Sequence, residues 1–129
     1  MNKIIVEVSI GELLDKISIL EIKQEKIKDP EKLKFINNEH SILKDQLKKS
    51  VKSDDKLNNL FQSLKEINTK LWIIEDDKRQ CEKDKDFGEK FIKLSRDVHF
   101  LNDDRAKIKL KINNHTGSSI KEIKEYTNY

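Results

Sequence analysis

An all-α fold, an antiparallel helical bundle of coiled-coil hairpins with about four helices and a short extended arm at its start, is what this sequence predicts. Three observations carry that prediction. A heptad strip of Leu57, Leu60, Leu64, Ile67, Leu71, Ile74, Lys78 and Cys81 recurs at alternating three- and four-residue steps, with Lys78 its single polar member. A second strip follows at once: Phe91, Leu94, Val98, Leu101, Arg105, Ile108 and Ile112. Only 3 Gly and 1 Pro interrupt 129 residues, which leaves few places to turn and favours long helices.

The elements follow in order. Lys3 to Val8 is β-branched and partly alternating, and reads as a short strand or extended arm. Ser9 and Glu12 form a capping-box pattern, which opens a helix to about Lys28. Its heptad positions are Ile10, Leu13, Ile17, Leu20, Gln24 and Ile27, and Leu14 and Ile22 widen the apolar face as a bundle requires. Asp29-Pro30 closes this helix and opens the next, because Asp suits the N-cap and Pro the first helical position. Whether it reverses the chain or only kinks it is left open by the sequence. The second helix carries Leu33, Ile36, His40, Leu43 and Leu47 and ends near Lys49.

Ser53 or Asp54 caps a third helix from about Asp55 to Lys83. Asp86 and Glu89 suggest a capping box for a fourth, from near Phe87 to about Asn114, with Gly117 as a left-handed terminator. The tail, with Ile120, Ile123 and Tyr126, is expected to pair with the arm or to dock as a short helix. The whole is read as one domain over 1–129: an extended arm over 1–8, a short helical hairpin over 9–49, a long helical hairpin over 54–114 and a tail over 115–129.

Lys and Arg number 27 against 24 Asp and Glu, and the signs are interleaved. Such a surface is solvated and laced with ion pairs one turn apart, and lacks the one-signed face of a nucleic-acid binder. The basic run from Arg105 to Lys111 spreads around its helix and sits where the macrodipole favours cations. Cys81 is the one cysteine, so an intrachain disulfide and a multi-cysteine zinc site are excluded, and its seam position points to a buried thiol. No apolar run reaches the roughly 18–20 residues of a membrane span. No signal peptide is apparent, so a cytoplasmic location is expected. No P-loop and no nucleophile constellation is present, and His40, His99 and His115 show no ligand spacing.

Antiparallel pairing of the last two helices sets Glu75 opposite Arg96, Asn68 opposite Asp103, and Glu66 opposite Arg105. Arginine occurs only at Arg79, Arg96 and Arg105, in a chain otherwise rich in lysine. Arginine's fork suits bidentate recognition of a carboxylate or phosphate, so these three are the candidate anion-binding residues. Glu75, Asp76, Asp103, Asn68, Glu12 and Asp15 are the candidate polar network. Under a metal-dependent reading these acids would hold magnesium; otherwise no cofactor is expected. The alternative account is an interhelical salt-bridge set that fixes register. Trp72, beside the seam residue Leu71, is the candidate anchor against the first helix or an oligomer interface.

Several of these blocks resemble one family. Val8 through Lys23, Ile67-Asn68 with Leu71-Trp72 and Ile74-Glu75-Asp76, Phe91-Ile92 with Leu94 and Arg96, Asn102-Asp103 with Arg105-Ala106, and Thr116-Gly117-Ser118 look like those of domain of unknown function 6165, a group of short bacterial and phage proteins. The resemblance covers nearly the whole chain. It implies kinship and brings no activity with it.

The expected function is a helical interaction module acting through self-association, as a homo-oligomer, or through a protein partner. The rival expectation is an anion- or nucleotide-binding protein, or a magnesium-dependent nucleotide hydrolase, built on the bundle. Nucleic-acid binding is the weakest of the three readings.

Overall fold

A computed structural model describes residues 2–129 of the chain; Met1, the first residue of the predicted arm, lies outside them. Four helices run in order: α1 (Ile10–Lys26), α2 (Pro30–Ser50), α3 (Asp55–Lys83) and α4 (Glu89–Thr116). No strand forms among the described residues, and the fold is the all-α bundle of two antiparallel hairpins that the seams predict. No helix among them is long and apolar enough to cross a membrane.

Local chemistry sets the helix ends. Ser9 caps α1, its Oγ accepting from the Glu12 backbone N–H at 3.1 Å. Asp29 caps α2 by accepting from the Glu31 N–H at 3.0 Å, with Pro30 in the first turn. The chain reverses there: Gln24 donates to Asn37 at 3.0 Å and Glu21 meets His40 at 3.1 Å, so α1 and α2 lie antiparallel. Asp54 caps α3 through the Leu57 N–H at 2.7 Å and also meets His115 Nε2 of α4 at 2.8 Å, which ties the base of the long hairpin. Gly117 ends α4 at φ 66°, the left-handed conformation that glycine adopts without a Cβ penalty.

Three expectations need correction. The fourth helix starts at Glu89 rather than Phe87, because Asp86 Oδ1 accepts from the Gly88 N–H at 3.1 Å and holds both intervening residues in a turn. Glu12 does not close a capping box; its carboxylate turns to Lys109 at 2.6 Å. The tail from Ser119 forms neither a strand nor a helix, and lies along α4 with Glu122 on Lys109 at 3.2 Å and Tyr129 against His99 and Phe100.

Helix α1 is the hub. It packs against α2, α3 and α4, whereas α2 packs mainly on α1 and α3 pairs with α4. Its Leu13, Leu14, Ile17, Leu20 and Ile22 are all buried. The core joins Leu14 of α1 to Leu57 and Leu64 of α3 and Ile112 of α4, with Leu47 and Val51 packed at its edge.

Gly11 permits the closest approach. A Cβ there would stand 2.6 Å from the Lys109 carbonyl oxygen and 2.9 Å from Asn113 Oδ1. Gly11→Ala should therefore lower the urea midpoint, with overpacking costing about 1–3 kcal/mol against a helix-propensity gain of about 1 kcal/mol. Asp54 supplies a pH test. The Leu57 N–H, and then His115, hold its carboxyl below the usual Asp range. A depressed folded-state value means the cap is fully formed above the unfolded value near pH 4 and fades as pH falls through the folded one. Carboxyl NMR titration should place Asp54 below free Asp, and Asp54→Ala should reduce the low-pH component of the unfolding curve.

Candidate functional site

Asp15 projects from α1 one turn after Gly11 and is only 1% exposed. A carboxylate so far from water requires partners. Arg105 of α4 supplies a fork: its Nε donates to Asp15 Oδ1 at 2.9 Å and its Nη2 to Oδ2. Asn68 of α3 donates through Nδ2 to Asp15 Oδ1 and to Ser18 Oγ, both at 2.8 Å. Ser18 Oγ donates in turn to the Asp15 carbonyl at 2.7 Å. Three helices thus converge on one carboxylate. Among the described residues, no buried side-chain nitrogen or oxygen lacks a partner.

Lys109 extends this centre. Its ammonium lies 2.6 Å from Glu12, 3.2 Å from Glu122 and 3.9 Å from Asp15. Burial works to lower its pKa, but the bond to Glu12 and the charges of Asp15 and Glu12 outweigh it, and the net shift is upward. The hydrogen bonds to Asp15 likewise raise Arg105.

The end of α4 also holds the start of α1. Asn113 Oδ1 accepts from the Gly11 N–H at 2.7 Å, and Ser118 Oγ accepts from the Ile10 N–H at 3.2 Å. With the Ser9 cap, these satisfy backbone donors that a helix start leaves without partners.

Two clefts flank the centre. The larger, of about 710 Å³, is lined by Glu12, Arg105 and Lys109, by His99 and Asp103 of α4, and by Glu122, Lys124 and Tyr129 of the tail. Its cations are matched: Arg105 by Asp15, Lys109 by Glu12 and Glu122, Lys124 by Glu122 at 2.7 Å. An arriving anion would have to displace a carboxylate. The smaller cleft, of about 340 Å³, brings Trp72, Glu75, Asp76 and Arg79 beside Ile19 and Ile22 of α1.

The sequence candidates are therefore divided. Glu12, Asp15, Asn68 and Arg105 come together, with Asp103 nearby, where Tyr129 donates to it. Glu75, Asp76, Arg79 and Trp72 share the second cleft, whose wall Arg105 also forms. Arg96 joins neither and lies over the Phe100 ring at 5.8 Å. Two expected pairs are replaced: Asn68 bonds Asp15 and Ser18 instead of Asp103, and Arg105 bonds Asp15 instead of Glu66. The two helices do face each other as expected, with Lys70 and Ile74 beside Asp97 and Leu101. Both side chains turn away to α1 because a desolvated carboxylate is a stronger partner than one in water. Among the described residues, no three Asp, Glu, His or Cys side chains gather as metal ligands would.

Sequence reasoning missed Gly11, Ser18, Lys109, Asn113 and Ser118. Gly11 and Ser18 stand seven residues apart with Asp15 between them, which places small and polar residues on one face of α1. That pattern is a legible sign of close helix contact with a polar lock.

The resemblance read from the sequence holds. The family of unknown function DUF6165 matches residues 4–129, and the chain belongs to it. No curated protein and no solved structure matches the chain.

Removing one partner of a buried ion pair costs about 3–5 kcal/mol. Because Arg105 keeps part of its side chain in solvent, Arg105→Ala should fall at the low end of that range in urea unfolding. Arg105→Lys should recover only part of the loss, since an ammonium cannot make the fork.

Proposed function

We propose that this member of the family is a cytoplasmic helical interaction module, acting through self-association or through a protein partner. The observation that carries the reading is a contrast along the long hairpin. In the half that α1 covers, Leu57, Leu64, Leu71 and Ile112 are buried, and Leu60, Ile67 and Ile108 are half-buried. Toward the turn, Ile74, Phe91, Leu94, Val98 and Leu101 hold the same seam positions and are only half-buried, with Cys81 the exception. Ile73 and Phe100 flank a shallow apolar recess there and are 46% and 36% exposed. Two helices alone leave such a seam open, and a third or fourth would close it.

The thin core supports the same reading. Among the described residues, more large apolar side chains are exposed than buried. Covering the exposed part of Ile73 and Phe100 removes apolar area from water, which favours association at about 25 cal/mol per Å² before the cost of ordering two partners. The anion-site alternative draws less support, because Arg96 stands apart from the cleft that Arg79 and Arg105 line, and Arg105 is committed to Asp15.

Light scattering after size exclusion tests the module. The chain mass is 15.3 kDa; the expected solution mass is a multiple of it. Ile73→Lys combined with Phe100→Asp should lower that mass or abolish partner binding while helical circular dichroism is retained. A single-chain mass at every concentration, with binding to any partner unaffected by the double variant, would overturn the reading. A thermal-shift panel of magnesium, manganese and nucleotides checks the alternative. A ligand at 100 times its Kd adds about 2.7 kcal/mol, and no such shift is expected.

A further inference from the structure

Residues Asn2–Val8 form neither helix nor ladder, and they lead into Ser9, which is buried and bonded to the first turn of α1. The arm is apolar and open: Ile4 is 91% exposed and Ile5 84%, and Val6 and Val8 are exposed too. Four of its residues are β-branched, which suits a pleated strand. In a strand, alternate residues share a face. Lys3, Ile5 and Glu7 would lie on one face, and Ile4, Val6 and Val8 on the other.

That arrangement is self-complementary in one register. We propose that two copies of this chain associate through their arms, as an antiparallel two-stranded ribbon centred on Ile5. Ile5 then faces Ile5 of the second copy, and Ile4 faces Val6. Lys3 of each arm faces Glu7 of the other, giving two cross-strand ion pairs. The remaining registers lose this match. Parallel in-register pairing sets Lys3 against Lys3 and Glu7 against Glu7, which is destabilising. A slip of one residue sets Lys3 against an apolar residue and reverses which side chains share a face. A slip of two sets Lys3 or Glu7 opposite Ile5 and breaks both ion pairs.

An isolated two-stranded ribbon is marginal in water and needs an apolar backing. The root of the arm lies beside the root of the tail, where the Ile10 N–H donates to Ser118 Oγ at 3.2 Å. Exposed Ile120 and Ile123 follow directly and supply apolar surface for the Ile4, Val6 and Val8 face. The inference rests on the self-association reading above and adds the arm as a second contact, apart from the recess beside Ile73 and Phe100.

Cross-linking of three single substitutions in the full chain tests the register. Opposed residues in an antiparallel pair have Cα atoms about 4.5–5.5 Å apart, within disulfide reach. Cys81 is buried, so the unsubstituted protein serves as the blank. Under mild oxidation, Ile5→Cys should pass into a covalent dimer, while Lys3→Cys alone and Glu7→Cys alone should not. Lys3→Cys mixed with Glu7→Cys should give a covalent heterodimer. Equal cross-linking at all three positions, or none at Ile5→Cys, overturns the proposal; none would also result if the arm folded back on its own tail. Sedimentation of the unsubstituted protein separates the two levels. A dimer whose Ile5→Cys variant does not cross-link refutes the arm ribbon and leaves self-association standing. A single-chain mass removes both.

Discussion

The buried carboxylate of Asp15 is the constraint on which the arrangement of helices depends. It belongs to α1 and is bonded at once by α3, through Asn68, and by α4, through Arg105. Hydrophobic seams are tolerant of register, because a shift by a heptad returns leucine to leucine. A carboxylate that meets a guanidinium fork and an amide at under 3 Å has one acceptable position. Buried ion pairs add little net stability over an apolar equivalent, since desolvation offsets the attraction. Misplacement of α1 would leave a charge in the core without a partner.

Backbone geometry reinforces the same contact. Gly11, one turn before Asp15, lets α1 approach α4 closely enough for Asn113 to take the Gly11 N–H. Ser118 takes the next N–H after the αL turn at Gly117 has redirected the chain. The start of α1 and the end of α4 are therefore interdependent, although some hundred residues separate them. Helix α2 has no comparable tie to the long hairpin and is held through α1 by the Glu21–His40 and Gln24–Asn37 contacts.

The sequence made some of this legible and left the rest dark for a physical reason. Periodicity reports which face of a helix is apolar, so the seams of α3 and α4 and the boundaries at Asp29-Pro30, Asp54 and Gly117 could be read directly. Arg105 could be seen to lie on a seam and therefore to need a partner. Which partner could not be seen, because pairing α3 with α4 alone offers Glu66, and a hairpin diagram contains no third helix. The choice of Asp15 is decided by desolvation, a property of the assembled bundle. Gly11 and Ser18 carried a signal of close approach that periodicity in apolar residues does not count. The start of α4 was misplaced because Asp86 satisfies its own local backbone first, which holds the next two residues out of the helix.

The distribution of polar bonds explains where interaction chemistry remains. In the half of the molecule around Asp15 the strong charges are neutralised internally: Arg105, Lys109, Glu12 and Glu122 bond one another or Asp15. A cleft lined by matched charges has little field to offer an anion or a metal ion, whatever its size. Toward the turn, and in the arm, the balance reverses. There the exposed side chains include Ile73, Ile92, Ile4 and Ile5, and the arm's backbone groups lie outside any ladder. Apolar area and backbone hydrogen bonding are the currency of protein association rather than of small-ion recognition. The centre around Asp15 is thus locked by polar bonds that fix its shape, while the arm beside it and the turn end of the long hairpin leave apolar side chains exposed.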